Sequence, residues 1–194
     1  MRLPTALALL ACLTAFAAEP RKNVLLLVSD DRGTRMGTYG GPALTPNIDA
    51  LAKGGVQLES YYGLPLCTPA RAALMTGRYP MRHGLQTLVI FPSHKYGLPT
   101  DEKTLPQMLK EVGYGTYMLG KWHLGQNGKH HPGKRGFDEA IVSMGKHFDF
   151  ETNPKTDYPK GQYLADFLTD KAVDFITRHK NEPFFLYLPH FGVH

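Results

Sequence analysis

The chain is poor in cysteine, in tryptophan and in long apolar runs: 194 residues contain two Cys and one Trp. Its longest apolar stretch, Leu3 to Phe16, follows Met1-Arg2 and ends in small residues. That is too short to span a bilayer, and its charged start and Ala15-Phe16-Ala17 ending fit a secretory signal peptide. Residues 1–18 are therefore expected to be a signal peptide, with cleavage after Ala17 or Ala18. Leu9-Leu10-Ala11-Cys12 also fits a bacterial lipobox, which would make Cys12 a lipid anchor. No other run is long enough for a transmembrane helix. The expected compartment is periplasmic or extracellular, or lysosomal and secretory in a eukaryote. Without residues 1–18 only Cys67 remains, which excludes an intramolecular disulfide and flags a reactive thiol. Lys and Arg exceed Asp and Glu by five, a balance that fits an anionic substrate. The basic residues are scattered, so nucleic acid is not indicated. There is no internal repeat and no low-complexity block.

Strand and helix patterns alternate along the remainder. Val24-Leu25-Leu26-Leu27-Val28 is continuously apolar, as in a strand of a parallel sheet buried on both faces. Thr45 to Ala52 reads as a capped helix stopped by Gly54-Gly55, and Val56 to Tyr62 as a further strand. Thr104 and Pro106 start a helix that runs to about Val112, and Tyr114 to Leu119 reads as a strand. Residues 126–136 and 145–162 read as irregular segments. Leu164, Phe167, Leu168, Ala172, Phe175 and Ile176 recur at helical spacing, and Phe184 to Leu188 reads as a buried strand. The pattern predicts an α/β fold with a mostly parallel sheet flanked by helices. Ligands of such sheets lie beyond the carboxyl ends of the strands.

The chemistry concentrates at three such ends. Asp30-Asp31 follows the first strand, and paired carboxylates suit a hard cation. Cys67-Thr68-Pro69-Ala70-Arg71 opens a short apolar helix that Gly77 stops. Thr68 suits an N-cap and Pro69 the first helical position, which would leave Cys67 just outside a helix N-terminus that favours anions. Arg71 could turn toward the same place. Gly120-Lys121-Trp122-His123-Leu124-Gly125 follows the strand 114–119, again at a carboxyl end; taken alone, Lys-Trp-His reads as a surface turn. The chain closes on Leu188-Pro189-His190-Phe191-Gly192-Val193-His194.

The stretch from Pro65 to Gly77, continued by Gly77-Arg78-Tyr79-Pro80 and His83-Gly84, resembles the signature of the sulfatase family. The segment 120–125 resembles the second signature of that family, and the likeness runs from about Asn23 to His194. The resemblance implies an alkaline phosphatase-like fold, arylsulfatase B-like and incomplete at the C-terminus, with residues 19–194 forming the N-terminal portion of the catalytic domain. It further implies that a formylglycine-generating enzyme oxidises Cys67 to formylglycine, whose hydrate attacks the sulfur of a sugar or aryl sulfate ester. Asp30, Asp31 and residue 67 would hold Ca²⁺. Arg71 and Lys121 would stabilise sulfate oxygens. His123 would assist collapse of the covalent sulfate ester, and His194 would assist the departing alcohol, with His190 as the alternative histidine. The Asp-Asn pair that completes the family's metal site lies further along and is absent here. A related phosphate or phosphonate ester hydrolase, and an inactive truncated fragment, are the alternative expectations. Arg135-Gly136-Phe137-Asp138 resembles a structural turn of the family and is expected to serve packing.

Overall fold

The computed structural model describes residues 21–192, so the expected signal peptide with Cys12, and His194 itself, lie outside the described residues. Five strands form one sheet in the order β1 (Val24–Val28), β5 (Phe184–Pro189), β2 (Gly115–Gly120), β3 (Glu139–Met144), β4 (Glu151–Asn153). The first four are parallel, with Leu26 opposite Tyr187 and Tyr117 opposite Leu186; β4 alone is antiparallel. The chain has the α/β fold with a mostly parallel sheet that its alternating pattern predicts, arranged as the resemblance to an alkaline phosphatase-like fold implies.

Period-two alternation in β5 decides what each face packs against. Phe185 and Tyr187 join Ala72, Met75, Met118 and Trp122 on one face, where α2 (Cys67–Thr76) and α3 (Leu105–Glu111) lie. Phe184, Leu186 and Leu188 join Phe167, Leu168 and Phe175 of α4 (Leu164–His179) on the other. Both faces of the sheet centre are thus covered, and all six residues of β5 are buried. No helix among the described residues is long and apolar enough to cross a membrane.

Local chemistry explains the helix ends. The Thr104 and Gln107 side chains close a capping box at the start of α3, and the Thr104 hydroxyl donates to the Arg135 carbonyl at 2.7 Å. Gly77 takes φ +66° and its N–H bonds to the Ala73 carbonyl at 2.8 Å, stopping α2. Arg135 is 1 % exposed and donates to the carbonyls of Pro99 and Glu102, so the 135–138 turn does pack the fold.

Four expectations are corrected. The run Val24–Val28 is a strand, but among the described residues it lies at the sheet edge: Leu26 and Val28 pack on the core, whereas Leu25 and Leu27 are 50 % and 54 % exposed. Residues 56–62 are not a strand; they form an exposed loop after α1 (Pro46–Gly54). α2 begins at Cys67 with Leu66 as N-cap, so Cys67 sits in the first turn and not before it. Thr68 is not the cap because its hydroxyl is committed elsewhere, to the His123 carbonyl. Finally, β3 carries too mixed a pattern, Glu-Ala-Ile-Val-Ser-Met, to announce itself, and β4 falls inside the stretch 145–162 that reads as irregular.

Candidate active site

Three carboxyl-terminal strand ends converge, and the backbone fixes how. The Asp30 N–H donates to the Gly192 carbonyl at 2.9 Å, and the His190 N–H to the Val28 carbonyl at 2.8 Å, so the β1–β5 ladder continues past both strands. The Lys121 N–H donates to the Pro189 carbonyl at 2.9 Å. This approach needs glycine one residue earlier: Gly120 has φ +131°, and a Cβ there would lie 2.1 Å from the Pro189 oxygen. Asp31 and His123 follow β1 and β2 with φ +50° and +56°. Non-glycine residues rarely adopt that conformation, and it concentrates at functional sites.

Asp30 is the hub of the site and is buried. Its Oδ2 accepts a short hydrogen bond from the Lys121 ammonium, and its Oδ1 lies 3.4 Å from Arg71 Nη2. Both cations are buried, Lys121 completely. The Arg71 Nη1 donates to the Lys121 carbonyl at 2.8 Å and to the Tyr187 hydroxyl at 3.1 Å, so the guanidinium is held on three sides. The Phe191 ring lies 4.8 Å from Lys121 Nζ, a cation–π contact beneath the loop after β5. Sequence reasoning missed Tyr187 and Phe191. Tyr187 sits in an all-apolar strand pattern with nothing to separate it from core.

Cys67 Sγ lies 3.6 Å from Asp30 Oδ1 and 3.6 Å from Lys121 Nζ. Burial pushes the thiol pKa above its ordinary value; Lys121 and Arg71 pull it down, while Asp30 and Asp31 push it up. The residue is thus a protonated thiol at neutral pH and a poor nucleophile. The Thr68 hydroxyl donates to the His123 carbonyl at 2.7 Å and accepts from the Ile90 N–H at 2.9 Å. It ties the turn after β2 to the residue next to Cys67. Burial lowers the pKa of His190, so that imidazole is neutral at neutral pH.

Of the expected site residues, Asp30, Cys67, Arg71 and Lys121 form one contact network, and Asp31 joins Asp30 and Cys67 in a group whose donor atoms lie within 4.8 Å of one another. His123 is placed beside the network by its backbone. The donor set fits a hard divalent cation at both carboxylates. A thiol is a soft ligand and does not match them; an oxygen-bearing group at position 67 would.

The sulfatase family model matches residues 22–194. Mouse arylsulfatase J is 38 % identical over 93 % of this chain and 33 % of its own length. Dog N-acetylgalactosamine-6-sulfatase is 38 % identical over 91 % of this chain and 40 % of its own. The crystal structure of Ps i-CgsB in complex with k-i-k-neocarrahexaose superposes with a TM-score of 0.82 at 36 % identity, covering 90 % of this chain and 46 % of that one. The chain thus spans between a third and two fifths of the length of these curated relatives.

Proposed function

The chain belongs to the sulfatase family, and from that premise we propose that its site hydrolyses sulfate esters through a formylglycine made from Cys67. The observation that carries the reading is the convergence of Asp30, Lys121 and Arg71 on position 67. The high thiol pKa supports it, since an unmodified Cys67 is not activated for attack. As a hydrated aldehyde, residue 67 supplies a hydroxyl nucleophile for sulfur and an oxygen ligand for a cation. Asp30, Asp31 and residue 67 would hold Ca²⁺, which supplies charge to polarise a sulfate oxygen when bound.

The side chains then have separable roles. Arg71 and Lys121 bind the sulfate oxygens, where negative charge grows during the reaction. Tyr187 and the Lys121 carbonyl hold the guanidinium in place for this, so little reorganisation is needed. The His123 imidazole accepts a proton from the hydroxyl of residue 67 during its regeneration. His194 donates a proton to the departing alcohol oxygen. His190 is a weaker candidate for that role, because burial depresses its pKa and disfavours the imidazolium form that a general acid needs. The substrate is a sulfated sugar or an aryl sulfate. The sugar bound by Ps i-CgsB favours the first. A formylglycine-generating enzyme is the maturation partner, and an exported location, periplasmic, extracellular or lysosomal, matches the expected signal peptide.

The test is sulfate release from 4-nitrophenyl sulfate and from sulfated saccharides by the protein matured at position 67 and supplied with Ca²⁺. Cys67→Ala should abolish turnover, and Lys121→Ala should lower kcat by about 10²–10³-fold, the loss seen when one charge-stabilising donor is removed. Faster turnover of the matching phosphate esters would overturn the assignment in favour of a phosphate or phosphonate hydrolase.

A further inference from the structure

One face of α2 grips the turn after β2 at two points. Thr68 and Arg71 stand one helical turn apart and so share that face. The Arg71 Nη1 donates to the Lys121 carbonyl at 2.8 Å, and the Thr68 hydroxyl donates to the His123 carbonyl at 2.7 Å. Thr68 is completely buried. Its hydroxyl carries one proton, and the Ile90 N–H that reaches it at 2.9 Å can only donate. The direction of the network is therefore fixed: the Ile90 N–H points at the Thr68 oxygen, and the Thr68 proton points at the His123 carbonyl. Thr68→Val fills the same space and makes neither bond.

The grip falls where the turn is least regular. On either side the chain has its own anchors. The Lys121 N–H donates to the Pro189 carbonyl at 2.9 Å, the buried Trp122 indole donates to the His130 carbonyl at 3.0 Å, and the Leu124 carbonyl accepts from the Leu98 N–H at 2.8 Å. His123 lies between them with φ +56°, a conformation that persists only where the surroundings over-determine it. Holding its carbonyl fixes the peptide plane on that side, and with it the direction in which the imidazole leaves the backbone. Thr68 follows Cys67 directly in the chain. One turn of helix thus carries both the reacting residue and the hydroxyl that orients His123, so the two keep their register.

We propose that Thr68 is a positioning residue for His123 and acts on the second half of the reaction, release of sulfate from residue 67; the proposal rests on the sulfatase reading of the site. In that half the His123 imidazole takes the proton of the remaining hydroxyl on the sulfated residue 67. The electron pair of that oxygen forms the aldehyde carbonyl, the bond from the same carbon to the ester oxygen breaks, and its electrons leave with the sulfate ion. Water then adds across the carbonyl and restores the hydrate. Attack on sulfur, the first half, draws on residue 67, Arg71 and Lys121, none of which Thr68 touches through its side chain. A loosened imidazole therefore slows the second half and spares the first.

The test is rapid-quench and steady-state kinetics on 4-nitrophenyl sulfate, using the matured protein supplied with Ca²⁺ and rates normalised to aldehyde content. Thr68→Val should lower kcat about 10–100-fold, the scale of a slightly misplaced catalytic group, and leave kcat/KM within about twofold because KM falls in step. Nitrophenol should appear in a burst of about one per site, and the peptide carrying residue 67 should accumulate as its sulfate ester above the parent level. Thr68→Ala, which cannot crowd the site, should behave as Thr68→Val does, and Thr68→Ser should restore kcat. A readout without turnover accompanies these: in the unmodified protein the Ile90 amide should exchange its hydrogen faster in Thr68→Val than in Thr68→Ser. Unchanged kcat, an equal loss of kcat and kcat/KM with no accumulated ester, or equal Ile90 exchange overturns the role of Thr68 and leaves the sulfatase reading intact. A parent protein that gives neither burst nor sulfate release removes that reading as well.

Discussion

β1 and β5 lie side by side and parallel, and both are built from large apolar residues, yet they live in different surroundings. β5 sits inside the sheet with packed side chains on both faces, and every one of its residues is buried. Among the described residues β1 has one hydrogen-bonded neighbour and one covered face, so Leu25 and Leu27 meet solvent while Leu26 and Val28 are partly buried against the core. The same division runs into the site. Lys121 and Tyr187 come from β2 and β5 and are fixed by packing. Asp30 comes from the end of β1 and is fixed by its partners: the Gly192 carbonyl, Lys121 and Arg71. The centre of the sheet positions the cations by close packing, and the edge positions the carboxylate by charge.

The largest effect should come from cutting that charge connection. Asp30→Ala leaves the fully buried Lys121 and the buried Arg71 without their shared counter-ion. The loss should be about 3–5 kcal/mol in urea unfolding without added divalent metal, as for other broken buried pairs. A loss below 1 kcal/mol would mean that packing alone holds the edge strand in place.

The two strands can then be compared directly. Leu186→Ala opens a cavity beneath α4 and should cost about 2–5 kcal/mol. Leu25→Ala removes a half-exposed side chain and should stay within about 0.5 kcal/mol. Equal losses at the two positions would show that β1 is as well covered as β5.

A smaller effect concerns the carboxylate at the opposite end of the sheet. Burial alone would raise the Asp138 pKa, but hydrogen bonds from Lys110 and from the Thr116 N–H and hydroxyl outweigh it and hold it below its ordinary value. A depressed carboxylate adds stability above its unfolded-state pKa, about 3.9, that is lost as pH falls through the folded value. Acid unfolding of Asp138→Asn should therefore be flatter below about pH 4 than that of the parent chain. Parallel curves for the two proteins would remove Asp138 from the account.

The legibility of these features in the sequence follows from their physics. Motifs were readable because chemistry demands rare residue types at fixed spacing: Asp30-Asp31, Cys67 to Arg71 and Lys121 to His123 each follow a strand or open a helix. β5 and α4 were readable because their patterns are strong. Position within the sheet was not, because Val24–Val28 is as apolar as a central strand, and edge or centre is decided by residues far along the chain. β3 was missed because Glu139 and Ser143 break its apolar pattern. The start of α2 was misplaced because a hydroxyl that suits an N-cap also suits a long-range bond, and Thr68 makes the second. Tyr187 was invisible as a holder of Arg71, since only the fold brings two residues 116 positions apart into contact.

The central claim is that the site is built around an aldehyde at position 67. Mass spectrometry of the tryptic peptide spanning residues 54–71, from protein produced with a working formylglycine-generating enzyme, addresses it most directly. The account predicts the aldehyde in place of the thiol in most molecules. An unmodified cysteine, in a host that converts a control sulfatase, would contradict it.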